Sequence, residues 1–326
     1  MVTFVVWVVI IMGRADVYES PDASDPVLSR DIVRDLAGRF LSNGEVPDGF
    51  EVDESGGEAR AYLLGDRVVV KTQRPHRRRP RTSLSKEAGV LDLLARSLGD
   101  WIPRLLGYGT AETHVGTVEF LVMSRITGRS LVHQPLTGAR RDVLVARVAG
   151  ILRRIHAADP GEVRGHGLPS DGEDVAALRR RLRDGFADLV DGIAEHPGRW
   201  TSSVSTGDVV SAALAALPAT LTQPPVLLHS NPGPTHVFVD ETGSFTGVID
   251  FGDAYVSHPA LDLRSWPDPA DRVLLRDAYV DGRPVSAEFD AVWTVAMIYA
   301  DMATIVRRLE YADRAERDLA VRLRSL

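Results

Sequence analysis

The hydrophobic period of this chain changes once, near Thr127-Gly128, and that change excludes a single uniform architecture. Before it, residues 50–72 carry short β-branched runs, with Glu54-Ser55-Gly56-Gly57-Glu58 as a turn between two of them. Arg67-Val68-Val69-Val70-Lys71 is one such run and ends in a lysine, and 102–109 and 118–123 read as two further strands. Two helices accompany them. Ser29 caps one, whose Ile32, Val33, Leu36, Ala37 and Phe40 share a face until Asn43-Gly44 stops it. The other covers 83–98, with Glu87 near its start and Val90, Leu91 and Leu94 as its apolar face. After the change, helical spacing dominates: Leu144, Val148, Ile151, Leu152 and Ile155 mark one helix, 174–190 and 208–217 two more, and a long helix begins near Ala287. Short apolar runs at 226–228 and 245–251 interrupt them, and Asp240-Glu241-Thr242-Gly243 signals a hairpin. The pattern predicts a small, mostly antiparallel β-rich part with an inserted helix, followed by a larger helical part.

At 326 residues the chain is long enough for about two domains. A net charge of −7 argues against a general nucleic-acid binder, whose domains carry a basic excess. Without cysteine there are no disulfides, no thiolate chemistry and no Cys-type zinc site, which fits a cytoplasmic location. The apolar run at 2–12 is too short for a spanning helix, which needs about 20 residues. It also lacks the basic start and the cleavage site of a signal peptide. No membrane partner is expected; the run is a buried strand, or translation starts at Met12. Residues 14–26 read as an acidic linker.

The chemistry concentrates in residues 226–263, VLLHSNPGPTHVFVDETGSFTGVIDFGDAYVSHPALDL. The cluster His229-Ser230-Asn231 and His236 sits around short apolar runs, and polar groups at the ends of buried strands make a rigid site. Asp250 in Ile249-Asp250-Phe251-Gly252 is a carboxylate at an apolar strand end, so it needs a cation or donors. Magnesium bound to phosphates is one such cation, since it takes oxygen ligands and only one or two carboxylates.

This segment resembles the catalytic and metal-binding loops of the aminoglycoside-phosphotransferase and related kinase-like family. That family's pattern is His-Gly-Asp, four residues, Asn, then Ile-Asp-Phe/Trp-Gly, and a His-x-Asp-x-Gly-Pro-x-His variant is closer still. Downstream, His258-Pro259-Ala260-Leu261-Asp262-Leu263 is similar to its Asp-Pro-Ala-Tyr-Asp-Leu stretch. The resemblance implies an α+β, two-lobed, protein-kinase-like fold: an N-lobe over 27–124 after the segment 1–26, and a mainly helical C-lobe over 125–326. It implies an ATP-dependent (or GTP-dependent) phosphotransferase with Mg²⁺, acting on a hydroxyl of a small molecule such as an antibiotic. The acceptor would be held by 160–200 and the C-terminal helices. Lys71 would hold phosphates with Glu87 as its partner. Ser55, Gly56 and Met123, the last in the segment between lobes, would also serve the nucleotide. Asp250 and His236 stand at the metal positions, His229 braces the loop, and Asn231 occupies the place of the catalytic base. Oligomeric state is left open.

Three positions depart from the family pattern: Asn231 for aspartate, His236 for asparagine and Ser230 for glycine. An amide offers an acceptor and donors but is no base. The chain is therefore a slow kinase, a nucleotide-binding pseudokinase without transfer, or a deliberately inactivated enzyme. Imidazole suits softer metals than magnesium, so His236 either leaves the metal to Asp250 or meets phosphate or substrate. Taken singly, the residues have plainer readings. Lys71 is an edge charge, Glu87 a surface carboxylate and Ser55-Gly56-Gly57 a hairpin turn. Asp262 is a loop anchor, His156 a packed residue, and Arg77-Arg78-Arg79 a solvated loop or an anion-steering one.

Overall fold

A computed structural model describes residues 25, 27–41, 45–74, 83–114, 116–172, 174–307 and 309–326. The apolar run at 2–12 and the Arg77-Arg78-Arg79 cluster lie outside them. Contacts divide the chain into two units, Met1–Pro80 with Leu106–Val122, and Arg81–Leu105 with Met123–Leu326.

The first unit is a helix on a sheet. Helix α1 (Arg30–Gly38) starts where the Ser29 side chain accepts from the Ile32 amide, and it buries Val33, Leu36 and Ala37. Strands β1 (Glu51–Asp53), β2 (Ala59–Leu64), β3 (Val68–Gln73), β4 (Leu105–Thr113) and β5 (Gly116–Ser124) pair in the order β1-β2-β3-β5-β4. Tyr62, Leu64, Val68, Val70, Val118 and Phe120 form a core with the buried face of α1. Gly107 admits the Phe40 ring, because a Cβ there would lie 2.1 Å from it. Strand β3 does not stop at Lys71. Thr72 and Gln73 still pair with Arg60 and Ala59, and the Gln73 side chain and the Arg74 amide both donate to the Glu58 carbonyl. That extra pair of bonds carries the ladder two residues past the lysine.

The second unit is mainly helical: α2 (Leu84–Leu98), α3 (Gly138–His156), α4 (Val175–Glu195), α5 (Thr206–Ala215), α6 (Pro269–Val280), α7 (Ala287–Arg307) and α8 (Ala312–Ser325). Its short strands are β6 (Arg129–Ser130), β7 (Val226–Leu228), β8 (Val237–Val239), β9 (Phe245–Val248) and β10 (Tyr255–Ser257). They form a β6-β8-β9 sheet and a β7-β10 pair. Helix α2 packs on α3 and on the 3-10 turn Pro160–His166, where Gly89 lets the His166 ring approach; a Cβ would meet it at 2.8 Å. These contacts group 81–105 with the helical unit. Helix α7 is long and apolar enough to cross a membrane, but most of it is buried against α4, α5 and α8, which is the signature of a core helix.

Candidate active site

Two strand pairs place the polar segment. Strand β7 pairs antiparallel with β10 and ends at Leu228, so His229 emerges from a buried strand. Strands β8 and β9 form the predicted hairpin, with Val237 opposite Val248. His236 precedes one strand and Ile249-Asp250 follow the other, so both lie at the same end. The Ile249 amide donates to the His236 carbonyl at 3.0 Å, and His236 Nε2 stands 3.3 Å from Asp250 Oδ2. Residues far apart in sequence thus meet because the hairpin register brings them together.

The loop after β7 is held from several sides. Asp262, in the 3-10 turn Pro259–Arg264, is fully buried and accepts from the amides of His229 and Ser230, each at 2.7 Å. His156 Nε2 lies 3.1 Å from the same carboxylate, and its Nδ1 lies 2.8 Å from the Tyr279 hydroxyl. Ser265 Oγ donates to the Ser230 carbonyl, and Trp266 Nε1 to the Pro232 carbonyl. Gly233 is needed for this approach, since a Cβ there would lie 2.6 Å from the Ser265 carbonyl. Ser230 and Asp250 both adopt positive φ, at 82° and 71°. Backbone strain of this kind gathers at functional sites.

Protonation states follow from the partners. His229 Nε2 faces the Ile249 carbonyl at 3.0 Å, and a carbonyl only accepts, so Nε2 carries the hydrogen. Nδ1 then accepts from the Asn231 amide at 3.3 Å. Burial pushes the pKa of His229 down to about 4, so the ring is neutral at pH 7 and braces the loop. The Asn231 carbonyl likewise takes a hydrogen from His236 Nδ1 at 2.8 Å, leaving Nε2 towards Asp250. His156 and Asp262 hold structure, in line with their plainer readings.

A cavity of about 580 Å³ opens beside this loop, with Ser230, Asn231 and Gly233 on its wall. The opposite walls come from 131–141 and from α6, α7 and the turn after it. Residues 160–200 supply none of this cavity's lining, and α6 and α7 supply part of it. Asn231 is exposed, so its amide is available to a molecule in the cavity.

The remaining candidates divide between the units. In the first, Lys71 lies within β3 opposite Ala61. Ser55 and Gly56 are exposed in the β1–β2 turn, where the Ser55 amide donates to Asp53 Oδ1. In the second, Glu87 is buried in the first turn of α2, and Met123 is buried at the end of β5 where the chain enters this unit. Among the described residues no group of three or more His, Asp or Glu forms a metal cage. Asp250, with 40 % of its side chain exposed, fits a magnesium ion that relies on one carboxylate, phosphate oxygens and water. Sequence reasoning did not find Ser265, Trp266 or Tyr279. Tyr279 lies on α6, and Ser265 and Trp266 sit just past the 3-10 turn Pro259–Arg264; none of the three carries a spacing signal.

The chain matches the family described as the phosphotransferase enzyme family (APH) over residues 49–317. Similar folds include wild-type aminoglycoside 2′-phosphotransferase-IIIa in its GDP complex, at a TM-score of 0.58 and 15% identity over 91% of this chain and 99% of that one. Macrolide 2′-phosphotransferase MphH from Brachybacterium faecium aligns at 0.55 and 20% over 90% and 96%. The streptomycin–ATP ternary complex of APH(2″)-IIa aligns at 0.52 and 16% over 92% and 99%. No curated protein matches. At these identities the structural likeness is one of fold.

Proposed function

Because the chain belongs to the phosphotransferase enzyme family, we propose that it transfers the γ-phosphoryl group of ATP or GTP to a hydroxyl of a small molecule held beside Asn231. The observation that carries this reading is the braced loop: a buried carboxylate and a neutral histidine fix the backbone that presents Asn231 to the cavity. Phosphoryl transfer depends mainly on positioning and charge neutralisation, so a rigid loop beside an acceptor pocket is the part that matters most. Lys71, Glu87, Ser55, Gly56 and Met123 are the proposed nucleotide contacts, supported by family position and by the nucleotide complexes of similar folds. Asp250 would hold magnesium, which when bound offsets phosphate charge.

Asn231 orients the acceptor hydroxyl through its carbonyl oxygen but cannot take the proton. On this reading the bond to the nucleoside diphosphate breaks, the acceptor oxygen gains the phosphoryl group, and its proton leaves to water. Lacking a base costs about 10²–10⁴-fold, so turnover is slow. The same residue favours a second reading, a pseudokinase that binds nucleotide without transferring phosphate.

Calorimetric titration of MgATP and MgGTP into the full chain tests the nucleotide half of both readings. Binding is expected, and Asp250→Ala and Lys71→Ala should each weaken it at least about tenfold, as expected for loss of a charged contact. No binding by the unmodified chain contradicts both.

A further inference from the structure

Three arginines and two acids line the cavity beside Asn231, and they are not equivalent. Arg141 and Asp271 form an ion pair with each other and so cancel. Among the described residues on the wall, Arg264, Arg307 and Glu310 have no oppositely charged partner. Arg264 is half-buried; Arg307 and Glu310 are exposed. Charge counts for more where water is partly excluded, so Arg264 dominates the local potential.

Arg264 is also held in place without being neutralised. Its guanidinium lies over the Tyr299 ring, 4.5 Å from the centroid. Tyr299 packs edge-on against Phe186 at 5.4 Å, and Gly185 lets it sit close, since a Cβ there would lie 2.9 Å from its ring. A cation stacked on an aromatic face keeps its full charge and its in-plane N–H donors for a ligand. Leu131, Val132, Leu136 and Trp266 give the same cavity an apolar side.

We infer that the acceptor carries an anionic group, a carboxylate or a phosphate, recognised by Arg264 with Arg307, on an apolar or ring-shaped body that places its hydroxyl at Asn231. A polycationic aminosugar would meet two like charges and one carboxylate. This deepens the phosphotransferase reading and rests on it for the role of the hydroxyl.

The test measures binding to the full chain, at low salt, of matched pairs: shikimate with its methyl ester, glucose 6-phosphate with glucose, and kanamycin as the polycation. At least one anion should bind about tenfold or more tightly than its uncharged partner, the scale of one charge-assisted hydrogen bond, and more tightly than kanamycin. Whichever pair shows the larger gain identifies carboxylate or phosphate. Arg264→Gln should abolish the gain and Arg307→Gln, on an exposed side chain, should reduce it. The inference is overturned if no anion exceeds its neutral partner, if kanamycin binds more tightly than every anion, or if neither substitution alters the preference. The MgATP titration is read separately. Nucleotide binding without anion preference sinks the acceptor class alone, and anion preference without nucleotide binding upholds the anion site while removing the phosphotransferase reading.

Discussion

Ser230 holds a backbone conformation that its Cβ disfavours. Its φ of 82° lies where glycine is at ease, and glycine is what the family pattern places there. The position is enforced from both sides: its amide donates to Asp262 and its carbonyl accepts from Ser265. A non-glycine residue in this region costs about 1–2 kcal/mol. Part of that returns as lower entropy of the unfolded chain. Ser230→Gly should therefore stabilise the protein by up to about 1 kcal/mol in denaturant unfolding. A loss of stability would show that the serine side chain does more than fill the position. Asp250 at φ 71° is the milder case, since aspartate tolerates left-handed backbone better than most residues.

Helices α6, α7 and α8 are joined by an ionic contact that their amphipathic patterns do not announce. Arg272 Nη1 meets Asp301 Oδ1 at 2.7 Å with both side chains fully buried, and Arg322 of α8 approaches the other oxygen at 3.4 Å. Burial outweighs both arginines and pushes the pKa of Asp301 up to about 6. An acid whose folded pKa exceeds its unfolded value destabilises the fold when ionised, so stability is regained as pH falls through 6 towards 3.8. Compared with Asp301→Asn, which has no such titration, the unmodified chain should gain on the order of 1 kcal/mol between pH 7 and pH 5. Buried histidines such as His229 and His258, both depressed to about 4, lose stability over this window, but they do so equally in the two proteins and cancel. A difference that stays constant with pH would mean that Asp301 keeps an ordinary carboxylate pKa. The contact matters for the site because Tyr299, Ala300 and Ala303 of α7 line the cavity.

At the scale of the whole molecule, the two-part architecture was legible because hydrophobic period reports local geometry: runs of valine around Val70 made a strand, and Leu144 to Ile155 made a helix. The loop at 229–231, the hairpin and Asp250 were legible for the same reason, since short apolar runs bracket each polar group. Three things were not legible. The extension of β3 past Lys71 depends on hydrogen bonds to the Glu58 carbonyl, which no propensity encodes. The grouping of α2 with the helical unit rests on its packing against α3 and the Pro160–His166 turn, where Gly89 faces His166. The cavity beside Asn231 draws its walls from α6, α7 and the stretch around Arg264 and Trp266, and nothing in the spacing of Arg264, Trp266 or Tyr299 marks them as neighbours of Asn231. On the proposed reading, a phosphotransferase-family scaffold keeps a braced loop and carries Asn231 where the resemblance places the catalytic base. The most direct test compares phosphate transfer from MgATP by the unmodified chain and by Asn231→Asp, with water and with a panel of hydroxylated acceptors, anionic ones included. Turnover by Asn231→Asp should rise about 10²–10⁴-fold; a variant that binds MgATP as before and stays inert with every acceptor would rule out the phosphotransferase reading.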